Sequence, residues 1–150
     1  MAFRPARDTV NLRSIIEFVA LLALAAFALG SLITGAPYVE TPLPGGLPMG
    51  NALAALGLCA VAAMARLVSR RGMIRHVANA ALGLAIAWLP VSIALAGNLA
   101  LVFSGARGDA WIAWSAVALV AAFASLALAV LQRTIVALHH RLARTPDAMR

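Results

Sequence analysis

The chain has one cysteine, three histidines and five acidic residues among its 150 positions, and its basic residues are all arginine, with no lysine. With Cys59 alone, no disulfide can form within the chain, which excludes a disulfide-stapled secreted scaffold. Charged residues make up only 11% of the sequence, against about 25% in soluble domains. That scarcity excludes an ordinary water-exposed surface, and the chain is far too apolar to stay solvated as disorder. Aromatics are few as well, at 6%, so there is no basic-and-aromatic stripe of the kind that tracks a nucleic acid. What is abundant is oil. Hydrophobic residues reach 63% and mean hydropathy is +0.94. The composition is that of one integral membrane unit, residues 1–150 forming a single membrane domain.

Four runs are long enough, or nearly so, to cross a hydrocarbon layer of about 30 Å. They are residues 14–34, 51–67, 77–103 and 111–132. At 1.5 Å per residue they reach about 32, 26, 40 and 33 Å as helices. The second must use its flanks or thin the bilayer, and the third must tilt or kink. A membrane β-barrel needs short segments that alternate apolar and polar, whereas these runs are apolar on every side. Alanine and leucine dominate them, and each run ends at glycine, proline or arginine. The expected fold is all-α, a polytopic protein with four transmembrane helices.

The net charge of +7 rests on twelve arginines set in short clusters between the runs, which is how topology determinants are placed. No nucleic-acid partner is expected from that placement. Arg4, Arg7 and Arg13 precede the first run, and Arg66, Arg70, Arg71 and Arg75 lie between the second and third. Arg133, Arg141, Arg144 and Arg150 follow the fourth, while the other side keeps only Arg107. Positive charge collects on the cytoplasmic side, so both termini are expected in the cytoplasm of a bacterial inner membrane. The first run exceeds the 7–15-residue core of a signal peptide, so a retained anchor is expected.

The segment Gly35 to Gly50 carries Pro37, Pro42, Pro44 and Pro48, with a Gly45–Gly46 pair for a turn. It is expected to lie on the membrane surface, with Tyr38 in the interfacial aromatic zone, or to strap onto another subunit. Trp111 and Trp114 open the fourth run, where indoles favour the interface, and with Tyr38 they are candidate partner contacts. Residues 133–144 are expected to continue helix four as an amphipathic cytoplasmic tail. Ile135, Leu138 and Leu142 would lie on anionic lipid beside Arg133, Arg141 and Arg144.

Few residues can carry chemistry. Glu17 is the only acid inside a run, and an intramembrane carboxylate is a functional candidate by default. Arg13 lies four residues before it on the same face, so an interfacial ion pair is the favoured reading. Small multidrug exporters also use four helices and a helix-one glutamate. The long proline/glycine segment and the arginine clusters depart from their pattern, and no motif assigns this chain to that family.

His76, His139 and His140 fall outside the runs, where they cannot ligate a haem inside the bundle, and no metal site is expected. Pro90 removes a backbone hydrogen bond from the Ile86 carbonyl. Trp88, about 16 Å from the start of its run, needs an acceptor for its indole N–H. The freed Ile86 carbonyl is one acceptor, and packing against protein is favoured. Trp88 is also the candidate contact for a pigment, quinone or lipid of a partner complex, no intrinsic cofactor being expected. Asn79 and Asn98, near opposite ends of the third run, are candidates for helix–helix hydrogen bonds. Small residues recur every four positions, at Ala26, Gly30 and Thr34, at Ala55, Cys59 and Ala63, at Gly83 and Ala87, and at Ala121, Ser125 and Ala129.

No phosphate-cradling glycine loop, no nucleophile with a base and no carboxylate pair is present in the sequence, so no enzyme is expected. The expected role is a non-catalytic accessory or assembly subunit of a larger inner-membrane complex, either energy-transducing or transporting. Its partners would be other integral membrane subunits and anionic lipids, with a homo-oligomer as a further arrangement. The alternatives are a small proton-coupled transporter, or the small membrane component of a multi-part importer, either using Glu17. A holin-like pore former also fits four spans and a basic tail.

Overall fold

A computed structural model describes residues 12–69 and 72–142. Its elements are α1 (Leu12–Thr34), a single 3-10 turn (Pro37–Glu40), α2 (Met49–Val68), α3 (Met73–Ala96) and α4 (Ala106–Leu142). The four α-helices are each long and apolar enough to cross a membrane, as in a multi-pass membrane protein. Of the arginines read for orientation, Arg4, Arg7, Arg70, Arg71, Arg144 and Arg150 lie outside the described residues, and so does the end of the expected tail.

Two helices differ from their apolar runs. α3 stops at Ala96 rather than Phe103, because Gly97 adopts a left-handed conformation (φ 70°) and donates its N–H to Ile93 O at 2.8 Å. That is a glycine C-cap, which ends a helix whatever the hydropathy beyond it. α4 begins at Ala106 rather than Trp111 and continues unbroken through 133–142. At 37 residues it spans about 55 Å, well beyond a bilayer's hydrocarbon.

α2 is the central helix. It packs against α1, α3 and α4, whereas α1 packs chiefly on α2. Within their most apolar stretches, 44% of α2 is buried but only 17% of α1. Small side chains permit this. A methyl group on Gly57 would sit 3.3 Å from Ala28 Cβ, so α1 and α2 touch almost backbone to backbone there.

The buried stripes are phased differently from the four-residue repeats read in the sequence. α1 buries Ala25, Ala28 and Ser31, and α3 buries Ala78, Ala81, Ala85, Trp88 and Ser92. α4 buries Ala118, Ala122, Ser125 and Ala129, keeping two members of its expected stripe. In α3 and α4 spacings of three and four alternate, and in α1 the spacing is three, as in the seam of helices packed side by side. In so alanine-rich a chain small residues occur on every face, and the neighbouring helix selects which face is buried.

The connector after α1 is folded rather than slack. Gly35 (φ 61°) closes α1, its N–H reaching Leu32 O and that of Ala36 reaching Ser31 O, a Schellman pattern. Pro44 and Gly45 (φ 94°) then form a turn closed by Gly46 N–H to Leu43 O at 2.8 Å. Thr41 O accepts from Met49 N–H at 2.9 Å, which returns the chain to the start of α2.

Candidate functional site: a tryptophan–serine cluster and an arginine-rimmed cleft

All three tryptophans converge on one stretch of α3. Trp88, 4% exposed, donates its indole N–H to Ser115 Oγ on α4 at 3.0 Å. Trp111 donates to Ser92 Oγ at 3.1 Å, and Trp114 donates to the Trp88 carbonyl at 3.3 Å. Ser92, fully buried, also donates its hydroxyl proton to the Trp88 carbonyl at 2.7 Å. The Trp88 indole therefore does not use the freed Ile86 carbonyl. A side chain on a helix points away from its own axis and reaches the neighbouring helix instead. α3 runs through Pro90 as one helix. Trp111 and Trp114 both turn their N–H groups into the bundle.

This cluster borders a cleft of about 410 Å³ lined by Trp88, Trp111, Glu40 and Asn51, among others. Tyr38, from the 3-10 turn, folds back on α1. Its ring stacks on Phe27 with centroids 6.5 Å apart, and its hydroxyl meets Ser31 Oγ at 2.6 Å. Ser31 commits its one proton to Phe27 O at 2.7 Å, so Tyr38 is the donor to Ser31. Val39 presses on Gly50, where a methyl group would lie 2.5 Å from Val39 Cγ1.

At the opposite end of the bundle, Arg13 Nε donates to Glu17 Oε1 at 2.7 Å. The two side chains are 82% and 42% exposed. They share a cleft of about 730 Å³ with Arg66 of α2 and Arg75 of α3, walled by Ala20, Leu21, Ala63, Leu67 and Leu82. The cleft exists because α1 and α3 flank α2 without packing tightly on each other. Beside it, Arg133 of α4 donates to Val68 O at 2.8 Å and so caps the end of α2.

The other sequence candidates lie apart from both places. Asn79 is exposed on α3. Asn98 lies past the end of α3, because Gly97 has already terminated the helix. Its amide bonds Ala96 O and Val102 O, and its carbonyl accepts from Val102 N–H, each at 3.0 Å. It stitches a connector in which Leu101 takes the left-handed region (φ 54°).

Ser92, Ser115 and Ser31 are not among the residues that the sequence singles out. The signal for them is their position: hydroxyls inside or beside apolar runs, each of which must be paired. Arg66 and Arg75 count toward orientation, but nothing in their spacing places them on one cleft with Glu17. Compared with protein-family models, with characterised proteins and with solved structures, the chain has no match.

Proposed function

We propose that this chain is a non-catalytic accessory or assembly subunit of a larger complex in a bacterial inner membrane, with both termini on the cytoplasmic side. One observation carries the reading. The indoles of Trp88, Trp111 and Trp114 bond to hydroxyls and a carbonyl across α3 and α4, and the two clefts, at opposite ends, have no lining residue in common. A carrier needs a polar route between its two sides, and these indoles and hydroxyls are engaged in holding helices together. The eleven-to-one division of arginines supports the orientation.

Gentle detergent extraction followed by mass spectrometry of the co-purifying chains is the test. Other integral membrane subunits in fixed stoichiometry are the expected result, with the complex depleted when this chain is deleted. A chain that purifies alone, from membranes whose complexes are unchanged by its deletion, would refute the reading. In a Cys59→Ala background, Gly46→Cys should react with an impermeant thiol reagent from outside the cell and Gly72→Cys only after lysis.

A second reading, proton-coupled transport, is favoured by the position of Glu17 on the wall of the larger cleft. It predicts flux in liposomes holding this chain alone, abolished by Glu17→Gln.

A further inference from the structure

Three helices bring guanidinium groups to one apolar-walled cleft. Arg13 comes from the start of α1, Arg66 from the end of α2 and Arg75 from the start of α3, with Glu17 as the one carboxylate among the described lining residues. Glu17 pairs with Arg13 at 2.7 Å. Among the described residues Arg66 and Arg75 have no ion-pair partner, so the cleft carries an excess of positive charge that its lining does not neutralise. Like charges facing a low-dielectric wall repel, and an anion seated between them relieves that repulsion.

The walls narrow the chemistry further. Deeper than the arginines lie Ala20 and Leu21 of α1, Ala63 of α2 and Leu82 of α3, with Leu67 beside Arg66 at the end of α2. They continue along helices long and apolar enough to cross a membrane. A ligand that fits both parts has an anionic head and an aliphatic body parallel to the helices. About 730 Å³ takes a headgroup and the upper part of an acyl chain.

We propose that this cleft is a binding site for an anionic phospholipid, its phosphodiester held by Arg66 and Arg75 with Arg13 at the rim, its chain on the α1–α2–α3 wall. Basic pockets between transmembrane helices bind such headgroups. Glu17 tempers the site by competing for Arg13. The site does not depend on the accessory role, since a transporter or pore former with this cleft would bind the same lipid.

The experiment is native mass spectrometry of the delipidated full chain, titrated in parallel with phosphatidylglycerol and phosphatidylcholine, with inorganic phosphate as competitor. Phosphatidylglycerol is expected to bind about tenfold or more tighter than phosphatidylcholine. Arg66→Gln/Arg75→Gln should remove that preference, Arg66→Lys/Arg75→Lys should keep most of it, and Arg107→Gln should leave it unchanged. Glu17→Gln should strengthen binding, the opposite of what a required proton-carrying carboxylate would show. Should the double glutamine variant fail to fold by circular dichroism, Arg66→Gln and Arg75→Gln singly are each expected to weaken binding about threefold or more. Equal binding of the two lipids by the unmodified chain would overturn the proposal. So would a folded glutamine variant that keeps the preference, or displacement of phosphatidylglycerol by millimolar phosphate, which would mark a soluble anion as the ligand.

Discussion

The indole N–H of Trp88 on α3 is bonded to Ser115 Oγ on α4 at 3.0 Å, 27 residues along the chain. That bond joins two helices inside an otherwise oily interior, and Ser92 and Trp114 extend it through the Trp88 carbonyl.

Breaking it tests the helix packing. Ser115→Ala leaves a buried indole N–H unpaired, and the expected loss is about 1–2 kcal/mol. Trp88→Phe with Ser115→Ala, run as a double-mutant cycle by thermal unfolding in detergent, should return a coupling of about 0.6–1.7 kcal/mol. Coupling indistinguishable from zero would mean that the two side chains do not meet.

Gly50 and Gly30 make an internal contrast. A methyl group on Gly50 meets Val39 at 2.5 Å and the Val39 carbonyl at 3.2 Å, whereas nothing lies within 4 Å of one on Gly30. Gly50→Ala should displace the 3-10 turn at a cost of about 1–3 kcal/mol. Gly30→Ala should be neutral or stabilising, by up to about 1 kcal/mol. Thermal midpoints, with limited proteolysis of residues 35–48, separate the two.

Asn98 should behave as a clamp on the connector. Its carbonyl holds the Val102 N–H at 3.0 Å. In Asn98→Ala, hydrogen exchange of the Val102 amide should quicken about tenfold, equivalent to about 1.4 kcal/mol. Exchange within α3 should not change.

The Arg13–Glu17 pair, by contrast, should hardly matter to stability. Both side chains are substantially exposed, and exposed pairs at this spacing contribute about 0.3–0.5 kcal/mol. Glu17→Gln should shift the thermal midpoint by less than about 2 °C. A much larger drop would show the carboxylate to be structurally required.

Arg133→Ala removes the cap on the Val68 carbonyl. A charge at a helix C-terminus is worth about 0.3–1 kcal/mol at low salt. The loss should fall in that range in dilute buffer and shrink as salt is raised, measured by the same thermal unfolding.

Much of the architecture is legible in the sequence because it rests on local, additive properties. Four apolar runs need no neighbour to declare themselves, and Pro37, Pro42, Pro44 and Pro48 deny helix to the segment after α1 wherever it folds. The i,i+4 spacing of Arg13 and Glu17 predicts a pair that the helix alone can form. The end of α3 is not legible in the same way. Hydropathy runs on to Phe103, whereas the left-handed Gly97 caps the helix and leaves Ala96 as its last residue.

Composition and spacing thus determined helix number, apolar length and the distribution of charge along the chain. Only the tertiary structure decided which small-residue face each helix buries, which hydroxyls receive the indoles of Trp88 and Trp111, and that Arg13, Arg66 and Arg75 border one cleft. The reason is physical. Hydrophobicity and backbone propensity belong to a segment, but a hydrogen bond or a cleft between helices belongs to their mutual rotation. In a chain with alanine on every face, the sequence leaves that rotation unspecified until the helices pack.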